Sequence, residues 1–142
     1  MKAKVIISAC LWLAGMSVQA AGYLPEGRWE VAQVTIEKDT EGIIETTEYN
    51  SAGDVQSSIS CPQEWEIRDS QIILLRYPNG REDAFHYVLE DDKLMITIAS
   101  VIHTYRYDLN GEDLILTTVY DQTGSDMEHI TEQWTITLKQ QE

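Results

Sequence analysis

The residues with reach for chemistry in this 142-residue sequence are three histidines, one cysteine outside the N-terminal leader and several adjacent carboxylates. His86, His103 and His129 fall on separate stretches, with no His-x-x-x-His and no Cys/His cluster. Metal ligation takes three or four converging donors. This spacing supplies none, so no metal site is expected. Glu82-Asp83, Asp91-Asp92 and Glu112-Asp113 each sit where a hairpin should end, a place for solvated charge. Glycoside hydrolysis needs two carboxyls held at a set distance across a cleft, and adjacency along the chain does not provide that. There is no P-loop, EF-hand loop, Gly-x-Ser-x-Gly or dinucleotide fingerprint. Cys61, just before Pro62, reads as a small buried apolar group rather than a nucleophile. The expectation is a protein that is not an enzyme and needs no cofactor.

What remains is a set of large apolar side chains at alternate positions, and these require strands. Runs 83–90, 93–99, 102–109 and 113–120 alternate apolar with polar residues, and most of their junctions carry turn chemistry. Period two marks strands with one face buried, and closely spaced strands of this kind pair antiparallel. Upstream, a long strand opens at Gly27-Arg28-Trp29 and loses phase near Ala32-Gln33, the mark of a β-bulge. Further strands are expected over 43–49, 63–68 and 71–77, and a last one over 128–139, while 55–60 reads as a loop or an edge strand. Asn79-Gly80 and Asn110-Gly111 signal hairpins, because two-residue turns need positive φ. Ile72 to Leu75 is apolar without alternation, which implies either a covering loop or an interface outside that strand.

Eight or nine short strands with short links make a meander, and closing the sheet removes both aggregation-prone edges. The predicted fold is all-β, an antiparallel up-and-down β-barrel of about eight strands. Strand parity turns Trp29, Trp65, Phe85, Tyr87 and Ile96 inward, with His103, Tyr105, Tyr107, Leu116 and Trp134 after them. An eight-stranded barrel is just wide enough to be filled by its own side chains or to hold one small ligand. Each aromatic alone is most simply core. As a set, with tyrosine hydroxyls as polar tips, they are candidate ligand-binding residues for a flat apolar or amphipathic molecule.

The N-terminus has the layout of a secretory signal peptide. Lys2 and Lys4 precede an apolar run, and Val18-Gln19-Ala20 supplies the small residues of a cleavage site, so 1–20 is the leader and 21–142 the domain. A competing reading makes Cys10 a lipidated cysteine, but the apolar run continues past it. No other run is long enough to span a membrane as a helix. The chain carries 24 acidic against 10 basic side chains, and loss of Lys2 and Lys4 takes its net charge from −14 to −16. Such a surface repels a phosphate backbone and anionic lipid headgroups, so nucleic acid is a poor partner. The simplest reading of the acidity is solubility, and a basic partner protein is the other. Export and a single remaining thiol, Cys61, leave the core without an internal disulfide.

Gly27-Arg28-Trp29 at the first barrel strand, followed by a meander of hairpins, resembles the lipocalin-like (calycin-type) families. The later order is similar to small exported bacterial lipocalin-like domains: Phe85-His86-Tyr87, Asp92-Lys93-Leu94, Tyr105-Arg106-Tyr107, Asn110-Gly111-Glu112-Asp113, and a final run from Trp134 to Lys139. The resemblance implies a barrel whose narrow end Trp29 closes, with a basic side chain of the last strand over it, here Lys139. It also implies a small hydrophobic or amphipathic ligand in the barrel. The alternative is a packed barrel that meets a protein partner through its acidic exterior.

Overall fold

The structure, a computed structural model, describes residues 24–141 apart from Ser58 and Ser70. The leader 1–20 and Cys10 lie outside the described residues. Nine strands follow in order: β1 (Gly27–Thr40), β2 (Ile43–Tyr49), β3 (Glu64–Arg68), β4 (Ile72–Arg76), β5 (Glu82–Glu90), β6 (Lys93–Ile98), β7 (Val101–Asn110), β8 (Asp113–Thr123) and β9 (His129–Gln141). Every pairing between them is antiparallel. The ring runs β1-β3-β4-β5-β6-β7-β8-β9, and β9 returns to β1 along almost its whole length, from Arg28↔Gln141 to Thr40↔Ile130. The chain is therefore a closed eight-stranded up-and-down barrel. The phase slip in β1 is a bulge, with the register to β9 shifting between Val31 and Gln33.

β2 and β3 share one place in the ring. β2 pairs with residues 34–40 of β1, and β3 pairs with residues 27–30 of the same strand. β9 holds the other edge of β1, so β2 and β3 run the same way along one edge as a single stave interrupted by residues 50–63. That excursion contains a 3-10 turn, Ala52–Asp54, and buries Ala52, Cys61 and Pro62 against the barrel.

The turns show where local chemistry rules. Glu41 and Gly42, at φ +52° and +93°, form a tight two-residue loop between β1 and β2. The expected two-residue turn at Asn79-Gly80 is longer: the Tyr77 carbonyl accepts from Gly80 N at 2.9 Å, and only Gly80 has positive φ. Pro78 is the reason, since its fixed φ suits the first central position of a type I turn, with the glycine after it. Ala99 and Ser100 join β6 to β7 with φ of +52° and +69°, without a glycine or asparagine to relieve the strain.

The unbroken run in β4 is explained from outside. Ile73 and Leu75 point into the barrel core, while Leu74 faces outward between Glu66 and Ala84 and is still only 8% exposed. Its face carries an ion-pair network in which Arg76 bridges Glu64, Glu66 and Glu82, with Arg28 on Glu64 and Arg68 on Glu66. The long stems of these side chains cover apolar surface while their heads stay wet. Neither a loop nor an interface is needed.

One expected contact is different. Lys139 follows the inward Leu138 and so faces outward, where its ammonium donates to Asp113 Oδ1 at 2.7 Å. The residue opposite Trp29 is Gln140, whose amide reaches back to the Glu26 carbonyl at 3.1 Å. Strand parity forbids Lys139 from covering Trp29, and the lead-in closes that end: the Trp29 indole donates to the Pro25 carbonyl.

Candidate functional site

The lumen is the first candidate, and its waist is solid. Ile96 and Leu116 are wholly buried, as are Leu94 and Leu138, leaving no surface for a water-sized void beside them. Trp29, Trp65 and Trp134 are buried almost as completely. Of the other inward residues, Tyr87 and Tyr105 are buried and Phe85, His103 and Tyr107 half-buried. Tyr107 spends its hydroxyl on the Asp91 carbonyl at the barrel's end, at 3.3 Å. The histidines do not converge: His86 faces outward opposite Ile72, His103 sits inward opposite Ile96, and His129 is exposed beside Asp121. Among the described residues no group of three His, Cys, Asp or Glu side chains is placed to hold a metal ion.

Above the waist an aromatic chain crosses the barrel from β3 to β9. The rings of Trp65 and Tyr105 meet edge to face at 5.4 Å, and Tyr120 lies beside Tyr105. Tyr120 meets Trp134 edge to face at 5.6 Å, and the Trp134 indole donates to Glu132 Oε1 at 2.9 Å. Such contacts each add about 0.5–1.5 kcal/mol beyond simple burial. Burial pushes the Tyr105 hydroxyl well above the usual phenol range, and Tyr120 upward as well. Burial likewise pushes the Cys61 thiol, on the adjoining 50–63 segment, up to about 12. Burial therefore disfavours the thiolate, the form in which a cysteine is a nucleophile. Among the described residues one buried side-chain polar atom is left over: Trp65 Nε1 has no hydrogen-bond partner.

Tyr120 and Glu132 were not singled out by residue type. The parity that turns Leu114, Leu116, Trp134 and Ile136 inward extends to both, so alternation alone was able to find them.

The second candidate is outside. β7 leaves β8 after Thr117 and β3 leaves β1 after Glu30, so the distal halves of β1, β8 and β9 continue past the barrel with β2. They form a four-stranded flap in the order β2-β1-β9-β8. Every residue of β2 is exposed except the half-buried Tyr49, with Ile43 at 69% and Ile44 at 58%. Glu37, Asp39, Glu41, Glu45, Glu48 and Asp121 charge this flap, against Lys38 as its one lysine or arginine. The arginines of the barrel lie elsewhere, each paired with an acid.

No protein-family model, curated protein or solved structure matches the chain.

Proposed function

We propose that the chain is an exported, lipocalin-like barrel acting as a non-catalytic binding module, with its filled lumen as scaffold and its acidic flap as the surface that meets a basic partner protein. The carrying observation is β2, a strand exposed on both faces and, among the described residues, joined on one side only. A carrier needs space where this barrel has wholly buried leucines and isoleucines, whereas the flap offers contact area and a single sign of charge. Export rests on the leader-like 1–20, with cleavage after Ala20 preferred to lipidation at Cys10.

The test compares the mature protein with a variant carrying Glu37→Gln, Glu45→Gln and Glu48→Gln. Both are immobilised and exposed to cationic proteins of known sequence at low and high salt. The reading expects salt-sensitive retention by the parent and at least partial loss by the variant. Equal retention by both would move the binding surface elsewhere.

A second reading, a small hydrophobic or amphipathic ligand inside the barrel, is favoured by the orphan Trp65 Nε1 beside Tyr105. A ligand acceptor would satisfy that donor, and buried apolar area would contribute about 25 cal/mol per Å² before ordering costs. A stoichiometric small molecule seen by native mass spectrometry would support this reading over the first.

A further inference from the structure

We infer that the outer edge of β2 receives an extended, lysine- or arginine-bearing segment of a partner protein as an added strand. The inference rests on the flap being the binding surface and names how that surface binds.

The hydrogen-bond pattern follows from the turn. A two-residue loop at Glu41-Gly42 makes Thr40 and Ile43 a hydrogen-bonded pair, and such pairs alternate along an antiparallel ladder. Glu45, Thr47 and Tyr49 therefore turn their backbone groups toward β1. Ile44, Thr46 and Glu48 turn theirs away, and among the described residues no strand lies on that side. Three donors and three acceptors stand in a row at two-residue spacing, the template that strand addition uses.

The side chains suit the same event. Ile-Ile-Glu-Thr-Thr-Glu-Tyr is rich in β-branched residues and lacks the Pro, Gly and Lys that commonly blunt an edge. Charge then selects the occupant. Glu45 lies on one face with Ile43 and Thr47, and Glu48 lies on the other with Ile44 and Thr46. An incoming strand meets a carboxylate whichever way its side chains point. Glu37 and Asp39 of β1 deepen the negative charge on the Glu48 face, against Lys38 on the other. A second copy of this chain is disfavoured, because self-pairing would bring both sets of glutamates into one short ladder between two strongly acidic molecules. A segment alternating cations with β-branched residues meets neither obstacle.

The probe is a synthetic nine-residue peptide alternating lysine with valine and threonine, added to isotopically labelled mature protein. Binding is expected to slow amide exchange at Ile44, Thr46 and Glu48 and to weaken with salt. The decisive variant is Thr46→Pro. It removes an outward N–H while leaving the bonds to β1, and an edge strand tolerates proline there, so the barrel should keep its spectrum and lose about tenfold or more in peptide affinity. A peptide N-methylated at alternate residues should lose affinity equally without any change to the protein. If the peptide binds in a salt-sensitive way but Thr46→Pro and N-methylation leave affinity intact, strand addition is wrong and the acidic-flap reading survives. If the peptide fails to bind at low salt, both fall.

Discussion

Trp134 gives its indole N–H to the carboxylate of Glu132, two residues earlier on β9, at 2.9 Å inside the barrel wall. Glu132 is 8% exposed, the one charged residue buried among the described residues, and this donor answers part of its lost hydration. Trp134→Phe should therefore cost more than an aromatic exchange of similar shape. The unanswered carboxylate adds about 1–3 kcal/mol, read as a lower urea midpoint with an unchanged slope. Adding Glu132→Gln to Trp134→Phe should restore part of it. A single variant as stable as the parent would mean that water already serves Glu132.

Ala99 and Ser100 occupy left-handed backbone at the β6–β7 turn, a conformation that costs about 1–2 kcal/mol per L-residue. Replacing them with Asn and Gly should raise stability by about 1 kcal/mol or more, with a higher melting temperature. No gain would show that the turn relaxes in solution.

Burial pushes the Cys61 thiol up to about 12 in the folded protein, from an ordinary value of 9.0 in the unfolded chain. A folded pKa above the unfolded one gives stability that is complete below pH 9 and lost as pH climbs toward 12. Tyr105, also raised by burial, adds to the same alkaline loss. Denaturation midpoints should fall steadily above pH 9, less steeply in Cys61→Ala. Folded protein at pH 8.5 should resist iodoacetamide and react once urea unfolds it. Fast alkylation in buffer would place the thiol at the surface.

Arg76 gathers Glu64, Glu66 and Glu82 on the outer wall over Leu74. Hydrogen bonds from Arg68 and Arg76 hold the Glu66 carboxyl below its ordinary range, against the opposing effect of burial. Stability from that depression is present above the ordinary carboxylate range and lost as pH falls through the folded value. Arg76→Met should destabilise by about 1 kcal/mol at low salt, and added salt should recover part of the loss by screening the three carboxylates. A salt-independent loss would trace the effect to the covering of Leu74 instead.

Alternation exposed most of this barrel because alternation reports burial on one side. Trp65-x-Ile67, Leu94-x-Ile96 and Trp134-x-Ile136-x-Leu138 each have one face in the core, and the bulge near Ala32-Gln33 showed as a break in the same pattern. Where burial stops, so does the signal. Among the described residues Ile43 to Tyr49 is a strand held by β1 alone, and no pattern told that it shares a stave with 64–68. Closure by Lys139 came from resemblance, and the parity of Leu138 already pointed the other way. Whether the inward aromatics enclose space or fill it depends on how the Trp65, Tyr105, Tyr120 and Trp134 rings meet across the lumen, which strand order does not encode.

That question is answered most directly by titrating a neutral naphthylamine probe into the protein while following fluorescence of the buried tryptophans. A filled lumen predicts no saturable quenching, only weak linear change from probe at the surface. Saturable one-to-one quenching, competed by other small apolar molecules and weakened by substitution of Tyr105, would contradict it and make the barrel a carrier.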